Sequence, residues 1–145
     1  MRRIVFFVLA ITVLGFGGIG PAVAKPALCA KFAELEKLKA TNAGDEGNFK
    51  RNGEHLKKQA DFIKKLIGSA PSTIKSDLKA LADAEQQEGS AMTKLGDGKK
   101  LDPVKFQKAL AEIQKITSSK SFIAATGHIG AWQQQQCSPN AELNS

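Results

Sequence analysis

Two histidines are the side chains of this sequence best suited to bind a metal or to transfer a proton near neutral pH. Neither His55 nor His128 belongs to an H-E-x-x-H or E-x-x-H pattern, in which helical spacing aims two ligands at one metal. For His128, one helical turn before Trp132, the simpler interpretation is a residue at the edge of the core, packed against the indole. A metal or haem ligand is the alternative.

A pair of glutamates is the second candidate for chemistry. The apolar spacing of the third predicted helix, continued from Leu81 by four and three residues, reaches Glu85 and Glu88. Burial of an unpaired carboxyl raises its pKa, which is how acid–base groups are tuned towards neutrality. The favoured interpretation is a phase shift in which Ala84 and Ala91 occupy the core face instead, because it leaves no carboxyl buried.

Six cations mark the second predicted helix, in pairs that recur every seven residues. Glu54 and Asp61 lie between the pairs, and the spacings Glu54–Lys58 and Asp61–Lys65 favour ion pairs within the helix. A solvated, internally paired face is the favoured interpretation. The alternative is a basic strip on which an anionic partner docks, formed by Lys50, Arg51, Lys57, Lys58, Lys64 and Lys65.

Helix-forming residues dominate the chain after residue 25. Ala, Leu, Lys, Glu and Gln are frequent, tyrosine is absent and no alternating β-branched run appears, so we expect helices throughout. Apolar residues recur at spacings of three and four in five segments, which predicts one antiparallel bundle of four to five helices. The stripes consist of Leu28, Phe32, Leu35 and Leu38; Phe49, Gly53, Leu56, Ala60, Ile63 and Ile67; Ile74, Leu78 and Leu81; Phe106, Ala109, Leu110, Ile113 and Ile116; and Phe122, Ala125, Ile129 and Trp132.

Glycine, proline and capping residues predict where the helices begin and end. The second segment, 46–67, would stop at Gly68, and Pro71 would occupy the first turn of the third helix. Asp102, followed by proline, is a strong start signal for the fourth helix, because aspartate accepts hydrogen bonds from the free N–H groups of a first turn. We expect an interruption at 117–119 before the last helix.

The beginning of the chain has the features of a secretory signal peptide. Arg2 and Arg3 precede an apolar stretch over 4–20, and Ala22-Val23-Ala24 supplies the small residues that signal peptidase recognises. A permanent membrane anchor is the alternative, but this stretch is at the short end of what spans a bilayer. The expected organisation is a signal peptide over 1–24, a helical bundle domain over 25–137 and a mobile tail over 138–145.

The two cysteines constrain the arrangement of the helices. Cys29 opens the first predicted helix and Cys137 closes the last, and export exposes thiols to oxidation. We expect a disulfide, with two free thiols as the alternative. An alternating antiparallel bundle brings these ends within the roughly 7 Å that a disulfide needs only if the helix count is even. With five segments, either 103–137 is one kinked helix or one short segment crosses the bundle.

Three features resemble small secreted all-helical proteins common in actinobacteria. One is Cys29, soon after the cleavage site, and another is the aromatic-to-cysteine spacing of Trp132 and Cys137. The third is the joint Leu66-Ile67-Gly68-Ser69-Ala70-Pro71, with Asp77-Leu78 further on. The likeness covers most of 28–137 and implies the fold and the bridge. The group has no established activity, so the resemblance assigns no site.

These observations favour a non-enzymatic binding or interaction module of the cell envelope or extracellular space. Removal of Arg2 and Arg3 with the signal peptide lowers the formal net charge from +7 to +5, which weakly favours anionic partners. We expect a protein, an anionic envelope component or a small apolar ligand as partner, and no cofactor, nucleic acid or stable membrane insertion after cleavage. The alternative is a metal- or haem-binding protein that uses Glu85, Glu88, His55 or His128.

Overall fold

The chain folds as an all-α bundle, which confirms the fold class predicted from the sequence. The computed structural model describes residues 27–41 and 47–138, and these contain helices and no strand. The predicted signal peptide over 1–24 and all of the predicted tail except Ser138 lie outside the described residues. The helices are α1 (Ala27–Ala40), α2 (Phe49–Ser69), α3 (Ser72–Thr93), α4 (Pro103–Thr117) and α5 (Lys120–Cys137).

Helix α3 occupies the centre of the bundle. It packs against α2, α4 and α5, and α1 closes the structure against α2 and α5. Helices α2 and α3 form an antiparallel pair, because the Lys50 amide at the start of α2 donates to the Gly96 carbonyl just after α3 at 2.7 Å. None of the helices in the described part of the chain is both long and apolar enough to cross a bilayer.

The main core lies between α1, α2, α3 and α5. Leu35, Ile63, Leu66 and Leu78 are its largest fully buried side chains. The predicted apolar stripes of α1 and α3 supply most of the remainder, so their periodicity located the buried faces correctly. The core cluster comprises Leu28, Phe32, Leu35, Ile63, Leu66, Ala70, Ile74, Leu78, Leu81, Ala82 and Ile129.

The joint between α2 and α3 differs in detail from the prediction. Helix α2 continues through Gly68 and ends at Ser69, so Gly68 is not the stop. Ala70 leaves the helix with φ −76° and ψ 147°, because the proline that follows disfavours helical geometry at the preceding residue. Pro71 is accordingly the N-cap of α3 and lies one residue outside the first turn where it was expected.

The boundaries of α4 and α5 follow the predicted signals. Asp102 Oδ1 accepts hydrogen bonds from the Val104 amide at 2.9 Å and the Lys105 amide at 3.2 Å. The predicted interruption separates α4 from α5, and Ser119 Oγ caps α5 by accepting from the Phe122 amide at 3.3 Å. The segment 103–137 is therefore two helices and not one kinked helix.

The predicted disulfide joins the ends of the bundle, with 5.5 Å between the Cα atoms of Cys29 and Cys137. The rings of Phe32, three residues after Cys29, and Trp132, five residues before Cys137, lie 5.9 Å apart, so α1 and α5 run in opposite directions here. Helix α4 departs from the alternation, because α3 ends and α5 begins at the end of the bundle remote from the bridge, so α4 both begins and ends there. Near its start, Phe106 packs on Phe49 of α2, with 5.6 Å between the ring centroids.

Candidate functional site

Glu85 is buried on α3, with 7% of its surface exposed. Its Oε2 is sealed from solvent and has no hydrogen-bond partner among the described residues. The favoured phase shift was therefore wrong for Glu85, although Ala84 and Ala91 are buried as it required. Helix α3 is covered on several sides by α2, α4 and α5, so its buried face is wide enough to include Glu85 as well as Ala84 and Ala91.

Burial raises the pKa of Glu85 from 4.5 to about 7. The ammonium of Lys39 on α1 opposes this shift, whereas the carboxylates of Glu88 and Glu36 add to it. Glu88 is half-buried, and burial raises its pKa as well. A carboxyl that titrates near neutrality can exchange a proton with a substrate, but Glu85 is closed off from solvent. The clearest consequence of its raised pKa is therefore that the stability of the fold depends on pH.

The two histidines contact different parts of the bundle. The Nε2–H of His55 donates to the Leu38 carbonyl at 2.6 Å, which ties α2 to the end of α1. His128 is largely exposed, as expected for an edge residue, and its Nδ1 lies 3.4 Å from Asp77 Oδ2. Three or more His, Cys, Asp or Glu side chains do not cluster as a metal site anywhere in the described residues.

The basic strip predicted on α2 is partly engaged with the rest of the bundle. Asp61 pairs with Lys64 at 3.3 Å and not with Lys65, and Lys64 also donates to Gln86 of α3 at 3.3 Å. The stem of Lys57 lies across Gly89 of α3, so this residue is half-buried. The other five members, Lys50, Arg51, Lys58, Lys64 and Lys65, are exposed.

A surface cleft between α3 and α4 combines apolar and cationic groups, and sequence reasoning missed it. Its volume is about 310 Å³, at the lower end of the range for small-molecule sites. Ala91, Leu95 and Ala109 supply its apolar walls. Lys94, Lys105, Lys108 and Glu112 supply its charged groups. We call these seven residues the α3–α4 cleft.

Two apolar side chains are exposed beside this cleft. Leu101, in the loop before α4, is 37% exposed, and Val104, in the first turn of α4, is 75% exposed. The sequence signal that could have found this region is the density of lysines between residues 94 and 108. The apolar stripe of α4 predicted a core-facing surface, but Ala109 is the only residue of that helix that is buried.

A second cleft, of about 560 Å³, lies at the disulfide end of the bundle. Leu28, Pro71 and Trp132 form much of its apolar wall, and Lys31 is its only charged side chain. Ala27, the first described residue, borders it.

In comparisons with known proteins, no family model, no curated protein and no solved structure matches this chain.

Proposed function

We propose that this protein is a secreted, non-enzymatic binding module that recognises an anionic component of the cell envelope through the α3–α4 cleft. The observation that carries the proposal is the composition of the cleft, in which three lysines flank an apolar wall. Lysines attract an anionic group over a distance, and apolar walls favour a partner that also presents nonpolar atoms. This combination suits binding of an amphipathic anion.

The cleft is a better candidate than the basic strip on α2. Lys64 is already held by Asp61 and Gln86, and the stem of Lys57 is packed against α3. In the cleft, Lys94, Lys105 and Lys108 are all exposed and converge from two helices. Charges that converge on a concave surface create a stronger local field than charges along a convex helix face.

The secreted location rests on the signal-peptide features of the first 24 residues. The disulfide between Cys29 and Cys137 supports it, because such bridges persist in oxidising compartments.

Binding to two anionic probes tests the proposal: a soluble acidic polymer (polyglutamate) and phosphatidylglycerol vesicles, each at 0.15 M salt with protein recovered from the exported fraction. We expect binding to at least one probe, and we expect it to be lost when Lys94, Lys105 and Lys108 are all changed to Gln. The matched control changes Lys58 and Lys65 of α2 to Gln and should retain binding. Failure to bind either probe, or equal loss in both variants, would refute the proposal.

The metal- or haem-binding alternative calls for a different measurement. It would use Glu85, Glu88, His55 or His128, which lie on α2, α3 and α5. Elemental analysis and a visible spectrum of protein purified from its native host test it directly. A stoichiometric metal or a Soret band that the His128→Ala or Glu85→Gln variant lost would favour this alternative over the binding module.

A further inference from the structure

We propose that the start of α4 docks on an anionic lipid bilayer, with Leu101 and Val104 inserted at the level of the headgroups and the nearby lysines in contact with lipid phosphates. This inference rests on the proposed function and names its ligand. The docking edge is defined as residues 99–108, the end of the loop between α3 and α4 and the first turns of α4.

The apolar side chains of the docking edge distinguish a bilayer from a soluble polyanion. Leu101, Val104 and Ile123 are the large apolar residues exposed in the described part of the chain. The first two lie within one turn of each other, and Val104 projects 75% of its surface into solvent. A soluble acidic polymer would leave both side chains in water, whereas the boundary between headgroups and acyl chains would bury them.

The charges around these side chains complement an anionic membrane. Lys99 and Lys100 precede Leu101, and Lys105 and Lys108 follow Val104. Lys94 adds a cation from the end of α3. Lysines grouped around a small apolar projection are the arrangement by which peripheral proteins hold anionic lipid, and each contributes separately to the affinity.

The acidic residues of this region do not cancel that charge. Asp102 is committed to capping α4 through the amides of Val104 and Lys105. Asp97 lies 3.8 Å from Lys99 and offsets that one cation. Glu112 also lines the cleft, so the region contains five lysines and three carboxylates and is net positive.

Co-sedimentation with vesicles tests the docking edge, using 30% phosphatidylglycerol in phosphatidylcholine against pure phosphatidylcholine. We expect binding to the anionic vesicles alone, weakened about fivefold for each lysine of the edge changed to Gln. The Val104→Ser variant should bind about fivefold more weakly, since it loses buried apolar surface. The matched control is Ile123→Ser, because Ile123 is an exposed apolar residue of α5 that lies outside the docking edge.

Fluorescence provides a direct readout of insertion. Trp132 is the only tryptophan, and it lies beside the disulfide end of the bundle. In a Val104→Trp variant, we expect a blue-shifted emission component on anionic vesicles that brominated lipids quench. The emission of Trp132 in the unaltered protein should not change.

Two results would overturn the docking edge and leave the proposed function standing. One is equal binding of polyglutamate and anionic vesicles with no effect of Val104→Ser, and the other is a Val104→Trp emission unchanged by vesicles that bind the protein. Failure to bind polyglutamate and vesicles alike would overturn the proposed function itself, and the docking edge with it.

Discussion

Gly53 on α2 and Gly89 on α3 lie in direct backbone contact. A Cβ atom on Gly53 would lie 2.5 Å from the Gly89 carbonyl oxygen, and one on Gly89 would lie 2.6 Å from that of Gly53. Only glycine permits this separation, because any side chain would force the two helices apart. The contact therefore sets how closely α2 approaches the central helix of the bundle.

We predict that Gly89→Ala destabilises the protein by about 2 kcal/mol or more, because the new methyl group overlaps backbone that cannot move without separating α2 from α3. Chemical denaturation monitored by circular dichroism measures the change. Gly127→Ala is the matched control: nothing lies within 4 Å of a Cβ atom at that helical position, so it should stabilise by about 0.5–1 kcal/mol. Equal effects of the two substitutions would contradict the packing described here.

The buried carboxyl of Glu85 should make stability depend on pH. Its pKa rises from 4.5 to about 7 on folding, so between these values the folded state binds more protons than the unfolded state. The free energy of unfolding should therefore fall as pH rises from 4.5 to 7, by up to about 3 kcal/mol. Denaturation at intervals across this range gives the profile.

The Glu85→Gln variant isolates this contribution. It should lose most of the decline between pH 4.5 and 7 and be more stable than the unaltered protein above pH 7, because an amide does not ionise. The raised pKa of Glu88 accounts for the decline that remains. Glu54→Gln, at an exposed position on α2, is the control and should keep the decline. A decline of undiminished size in Glu85→Gln would assign it to another group.

Reduction of the disulfide should lower the melting temperature by several degrees or more. A bridge between Cys29 and Cys137 restricts the unfolded chain over a sequence separation of 108, and such bridges contribute about 2–4 kcal/mol. Differential scanning calorimetry with and without reductant measures the shift. Intact mass of the exported protein should be two hydrogens below that of the reduced chain, and two alkylatable thiols would contradict the bridge.

Charge reversal on α2 should distinguish the lysines that contact α3 from those that do not. Changing Lys58 and Lys65 to Glu should alter stability by less than about 1 kcal/mol, as expected for exposed charges. Changing Lys57 and Lys64 to Glu should lower the stability more, since the stem of Lys57 packs across Gly89 and Lys64 donates a hydrogen bond to Gln86. Thermal melts of the two double variants make the comparison, and equal costs would show that these contacts contribute nothing.

Local pattern predicted the helices of this protein well. The stripe Leu28, Phe32 and Leu35 and the cap at Asp102 are confirmed, because each depends on residues one or two turns apart along the chain. Gly68 was misassigned as a stop for a related reason. The proline two residues after Ser69 ends the helix by steric exclusion, and it outweighs the weaker preference of glycine for a helix end.

The full width of the buried face of α3 could not be predicted in the same way. Glu85 and Ala84 are both buried, although a helix that packs on one side would bury only one register. How many neighbours surround a helix depends on residues far away in sequence. The lysines of the α3–α4 cleft were missed for the same reason, since Lys94 meets Lys105 only when α4 folds against α3.

By itself, the sequence determined the helical class of this protein, most of its helix boundaries and the pairing of its two cysteines. These depend on backbone preference, short-range periodicity and the fact that two thiols allow a single bridge. Only the tertiary structure decided that α4 departs from the alternation, and that lysines from the end of α3 and from α4 line one cleft. It also decided that Oε2 of Glu85 is buried with no hydrogen-bond partner among the described residues. These features depend on which helix faces come into contact, and that is determined by the burial of apolar surface from residues distant in the sequence.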